Sequence, residues 1–107
     1  MRVIWKYTIP RYGGIVELSI PVHAMTRSVG TQGDAVVVWM ELDPESPPQP
    51  RYFQLFGTGE TIGSEHSLFG GSDEHIYAYM GTTQTPPFVW HLYELIPRRP
   101  AVTHPRS

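Results

Sequence analysis

Proline and glycine constrain this chain more than any other residues in it. Eleven prolines and ten glycines are spread along 107 residues, falling between short runs in which apolar and polar side chains alternate. Proline supplies no backbone N–H and glycine accepts positive φ, so each ends a strand or turns it. No stretch keeps the 3.6-residue period of an amphipathic helix for more than a turn or two. The pattern predicts an all-β domain of about seven short antiparallel strands, forming a small sandwich or a partly open barrel, with no long helix.

The runs can be placed. Val3, Trp5, Tyr7 and Ile9 alternate with Arg2, Lys6 and Thr8, and Pro10 ends that strand. Gly13 and Gly14 supply a turn, after which Val16, Leu18 and Ile20 alternate with Glu17 and Ser19. The first two strands therefore read as an N-terminal hairpin. A short third strand covers residues 24–29, weakened by Arg27 and Ser28, ahead of a turn over residues 30–34. Ala35–Leu42 is apolar on both faces, as befits a strand central in its sheet or one covered by a partner chain. Residues 43–50 carry four prolines and read as a stiff surface loop that cannot join a ladder.

Residues 51–56 are strand-like and run into Gly57 and Gly59. The polar loop over residues 57–72 holds five glycines, a length that marks it as functional or mobile. Residues 74–80 and 88–96 form the last two strands, with a turn over residues 81–87 between them. Residues 1–96 are read as one β domain and residues 97–107 as a disordered tail rich in Pro and Arg.

Several function classes are excluded or disfavoured. Without cysteine there are no disulfides and no thiolate metal site. No apolar run approaches the roughly 18 residues of a membrane span, and the N-terminal run is too short and polar for a signal peptide. A net charge of −2 offers no basic field for duplex nucleic acid. The residues imply a protein of the cytoplasm that engages no membrane.

Catalytic signatures are missing too. Gly57-Thr58-Gly59-Glu60-Thr61-Ile62-Gly63 misplaces its third glycine for a dinucleotide fingerprint, and no Lys follows as in a P-loop. Turn glycines explain it, with a backbone anion nest as the alternative. Glu65-His66 and Asp73-Glu74-His75 set carboxylates beside imidazoles, but neighbours on a strand point to opposite faces, so a metal-dependent hydrolase built on His66 and His75 is the poorest option. No serine or threonine sits in a nucleophile elbow. The chain reads as a non-enzyme needing no cofactor.

Aromatic residues are more informative. Tyr52, Phe53, Phe56, Tyr77, Tyr79, Trp90 and Tyr93 crowd the three C-terminal strands, more than one core can take. Tyr77, Tyr79, His91 and Tyr93 are expected on one outward stripe, as a stacking surface for a base or a protein, a second buried layer, or a homo-oligomer interface.

Ile4-Trp5-Lys6-Tyr7, Leu42-Asp43-Pro44, residues 53–59 and Trp90-His91-Leu92-Tyr93-Glu94 occur in an order that resembles a family of short uncharacterised proteins of bacteriophages and prophages. The resemblance spans residues 3–95, and its sharpest motif is Phe56-Gly57-Thr58-Gly59. The segment over residues 64–73 is longer than usual, and the tail has no counterpart. The resemblance transfers no catalytic residue; it implies the host-cell cytoplasm and action by binding, as small phage proteins do when they sequester host signals, block host proteins or join the virion.

Two binding readings follow. In the first, the protein sequesters a small anionic host immune signal of nucleotide type, such as a cyclic nucleotide, at a homo-oligomer interface. Gly57, Thr58 and Gly59 give N–H groups to phosphate beside Phe56, Arg51, Arg98 or Arg99 gives charge, and Tyr77, Tyr79, His91 or Tyr93 stacks on the base. In the second, the aromatic face docks a host or phage protein, with Val36, Val38 and Met40 shared with the partner or with a second copy.

Overall fold

Residues 35–42 alternate too little to have a solvent face, and the structure puts them where little is needed. In the computed structural model, which describes residues 1–11, 14–63 and 75–97, they form the middle strand of a sheet. Seven strands run in chain order: β1 (Val3–Ile9), β2 (Val16–Pro21), β3 (Met25–Gln32), β4 (Ala35–Leu42), β5 (Pro48–Gly57), β6 (His75–Thr85) and β7 (Phe88–Pro97). They make two antiparallel sheets, β1-β4-β3 and β2-β5-β7-β6. The described residues contain no helix and no closed barrel.

The core lies between the sheets. Val36, Val38, Met40 and Leu42 of β4 meet Ile9, Ile20, Phe53 and Leu92 there, all essentially inaccessible. That corrects one expectation: Val36, Val38 and Met40 are spent inside the protein's own core and are not available to a partner. Val37 is buried as well, on the other face of β4, which accounts for the doubly apolar run. On that face the Trp39 ring lies against Gly30 of β3, where even a Cβ would come within 2.9 Å of it.

The predicted N-terminal hairpin does not form. β1 pairs with β4, and β2 pairs with β5 in the other sheet. Both strands present one apolar face, and facing sheets bury both of those faces, whereas a two-stranded hairpin leaves them wet.

Strand limits moved as well. β3 continues through Gln32, and a two-residue turn, Gly33-Asp34, joins it to β4 with φ of +59° at Gly33. A glycine at the first central position is what a type II′ hairpin turn requires. β5 begins at Pro48, inside the expected loop. Its prolines sit opposite Pro21 and Ser19 of β2, and β7 joins its other side only from Tyr52, so a missing N–H interrupts no ladder there. β6 runs on to Thr85 past a register shift between Tyr79 and Gly81, and Pro86-Pro87, joined by a cis peptide bond, make the turn.

Along one side the two sheets touch. Gly81 of β6 lies against Val29 of β3, and Thr31 Oγ1 meets Thr83 Oγ1 at 2.6 Å and donates to the Gln84 carbonyl at 2.8 Å. Pro97, expected to open the tail over residues 97–107, instead ends β7; the rest of that tail and most of the long glycine loop lie outside the described residues.

Candidate functional site

Alternation along β5, β6 and β7 sorts the aromatic residues. Phe53 and Trp90 face the core, while Tyr52, Phe56, Tyr77, Tyr79 and Tyr93 share the outer face of the four-stranded sheet with His91. The stripe of Tyr77, Tyr79, His91 and Tyr93 is therefore present as expected from the sequence. Its rings touch. Phe56 meets Tyr93 edge-on at 5.6 Å between centroids, Tyr93 meets Tyr79 at 5.5 Å, and Tyr77 lies 6.0 Å from Phe56. Such tilted and edge contacts suit the ring quadrupoles. Phe56 is buried in the cluster, whereas Tyr79 is 58% exposed.

A hydrogen-bonded chain ties the polar tips together. Thr58 Oγ1 lies 2.8 Å from His91 Nε2, and Thr82 Oγ1 lies 2.9 Å from His91 Nδ1 and bonds the Tyr79 hydroxyl in turn. A neutral imidazole donates from one nitrogen and accepts at the other, so the two threonines play opposite roles. Thr82 was missed in the sequence because the register shift in β6 is what turns it toward His91.

The glycine loop is occupied by its own chain. The Gly57 N–H donates to Glu60 Oε1, and the Glu60 N–H donates to the Gly57 carbonyl at 3.1 Å. Gly59 holds φ at +95°, the left-handed region in which a side chain is strained. A phosphate at Gly57 has to displace a carboxylate. Thr58, held by His91 on one side, resembles a nucleophile beside a base, but the third member is a hydroxyl, which gives an imidazolium no charge stabilisation.

Arg51 is not on this face. It points between the sheets, with Nε and Nη2 each donating to Glu94 at 2.7 Å and Nη1 donating to the Ala24 carbonyl at 2.7 Å. The two side chains are 15% and 13% exposed. This fork-on-carboxylate geometry is the strong form of the interaction. A periodicity signal was available: Glu94 continues the inward series Trp90, Leu92, and a charge on an apolar face needs a partner.

Beside this pair lies a cavity of about 530 Å³, lined by His23, Arg51, Tyr52, Glu94 and Pro97 among others. His23 holds a positive φ of 68° at the corner between β2 and β3, and the Ala24 N–H donates to the Pro21 carbonyl at 3.3 Å. Tyr7 also senses Arg51. Burial raises its phenol pKa above the usual value, and Arg51 partly offsets this. Arg98, Arg99 and His66 lie outside the described residues. Among the described residues no three His, Asp or Glu side chains converge to hold a metal ion.

The chain belongs to DUF7352, a domain of unknown function. The match covers residues 1–102, so it takes in both sheets and the aromatic face. No curated protein matches the chain, and no solved structure matches it.

Proposed function

We propose that this DUF7352 protein is a non-catalytic binding module that docks a protein partner through the aromatic outer face of the four-stranded sheet. The observation that carries the reading is the Tyr79 ring, mostly exposed, propped edge-on by Tyr93 and tethered through Thr82 to His91. An aromatic anchor whose rotamer is already held loses little entropy on binding, the usual property of an interface hot spot. The resemblance to phage proteins makes a host or phage protein in the host cytoplasm the natural partner.

Capture from host lysate on immobilised protein tests this, compared between the native chain and Tyr79→Ala at equal folded fraction. A partner bound through this face is lost or weakened about 30-fold by the substitution, the effect of a 2 kcal/mol hot spot. Identical capture by both proteins counts against the reading.

The cavity beside Arg51 favours a second reading, sequestration of a small nucleotide-type anion there. Arg51 and His23 supply donors, Tyr52 a ring, and Arg98 and Arg99 follow Pro97 of the cavity wall directly in sequence. Its weakness is that Glu94 already neutralises Arg51. A cyclic nucleotide present at 100 times its Kd stabilises the protein by about 2.7 kcal/mol. A panel of them that leaves the melting temperature unmoved removes this reading and leaves the first intact.

A further inference from the structure

β5 and β7 do not end together. β5 pairs with β7 as far as Gly57, opposite Trp90, and then turns away through Glu60, whereas β7 stays paired with β6 through Val89 and Phe88. In the described residues one flank of Phe88 and Val89 therefore has no strand beside it. The result is a notch of about 430 Å³, walled by Thr58, Glu60, Pro87, Phe88 and Trp90 among others.

The chemistry of the notch is specific. Phe88 is 53% exposed and leans on Trp90 at 5.8 Å between centroids. The Trp90 indole N–H is already satisfied by Thr85 Oγ1 at 2.7 Å, so the paired rings present an apolar surface. Aromatic walls of this kind take proline rings of an extended segment, and a free strand flank takes its backbone. At the rim, Glu60 uses one carboxylate oxygen on the Gly57 N–H and keeps its negative charge exposed. The notch suits an extended segment carrying proline and a cation.

This sequence contains such a segment directly after β7, Arg98-Arg99-Pro100. The same chain cannot deliver it. β7 runs from the notch at Phe88 to Pro97, and nine residue steps at ~3.3 Å carry the chain about 30 Å away. Three further residues reach back at most about 11 Å. We propose that the notch receives Arg98-Arg99-Pro100 of a second copy, with the guanidinium groups against Glu60 and Pro100 on the Phe88 and Trp90 rings. Reciprocal exchange closes a dimer, and one-way exchange builds a longer assembly. The aromatic face assigned to a partner protein shares Thr58 with the notch but not Phe88 or Trp90, so neither idea depends on the other.

Sedimentation of the whole chain over a concentration series tests the proposal, together with Phe88→Ser, the pair Arg98→Glu/Arg99→Glu, and a synthetic peptide of residues 95–102. The native chain self-associates, each variant weakens that association at least about tenfold without changing the thermal melt, and excess peptide returns the native chain to monomer. A native chain that stays monomeric throughout overturns the proposal, as does association that neither variant disturbs. Peptide binding to a persistently monomeric chain overturns it as well, assigning the notch to a Pro- and Arg-bearing segment of another protein.

Discussion

Replacing Arg51 by Met tests what holds the two sheets in register with the corner that joins them. The guanidinium bonds Glu94 through two nitrogens and the Ala24 carbonyl through a third, so it ties β5 to β7 and to the crossing between the sheets. Methionine fills most of the volume and removes all three donors. Glu94, 13% exposed, is then left as a nearly buried carboxylate without a cation. Breaking a buried pair costs about 3–5 kcal/mol, while a solvated pair is worth about 0–1 kcal/mol. The slight exposure sets the expectation at the lower end, about 3 kcal/mol. For a domain of this size that is a large share of the roughly 5–15 kcal/mol available, and it lowers Tm by roughly 12–20 °C. Urea unfolding at pH 7, followed by tryptophan fluorescence and circular dichroism, measures it. The double variant Arg51→Met/Glu94→Leu is expected to recover all but about 1 kcal/mol, the residue being the carbonyl of Ala24 without its donor. A single-variant cost below about 1 kcal/mol, or a double variant no better than the single, refutes the argument that this pair is effectively buried.

Three further outcomes follow from particular contacts. Gly81→Ala puts a Cβ 3.0 Å from Val29 where β6 meets β3, and urea unfolding is expected to show a loss of about 1–3 kcal/mol from overpacking. Tyr7→Phe deletes a buried hydroxyl that has no hydrogen-bond partner among the described residues, so stability at pH 7 is expected to hold or rise by up to about 1 kcal/mol. Because the folded Tyr7 pKa lies above its unfolded value of 10.0, its contribution is whole below pH 10 and is lost as pH rises beyond it; the variant lacks this alkaline loss in a stability–pH series. Glu41 is the opposite case: hydrogen bonds from Arg2 and then Arg27 lower its pKa, so its contribution is present above the ordinary value of 4.5 and lost as pH falls through the folded value. Glu41→Gln is expected to flatten the acid limb of the same series.

How far the sequence could be read differs between fold and site. Period-2 alternation placed the facing sides of β6 and β7 correctly, including Tyr77, Tyr79, His91 and Tyr93 together on one outward face. The doubly apolar run marked β4 as central in its sheet or covered by a partner chain, and the first alternative is the one found. Pairing was harder to read. Alternation says which side chains share a face but not which strand lies alongside, so β1 and β2 were joined as a hairpin when each pairs across the chain with β4 or β5. Arg51 shows the same limit at the site. Its strand and its inward parity are visible in the sequence, yet its commitment to Glu94 depends on two strands meeting 43 positions apart.

Taken alone, the order of residues determined that this chain becomes short extended segments with two-sided chemistry, because alternation, proline and glycine act over a few neighbouring residues. Tertiary structure decided which segments lie side by side, that Glu60 occupies the glycine turn, that Thr82 reaches His91, and that β7 outruns β5 to leave a notch. Those outcomes come from packing one sheet's apolar face onto the other's, a condition on the whole chain that no local run contains.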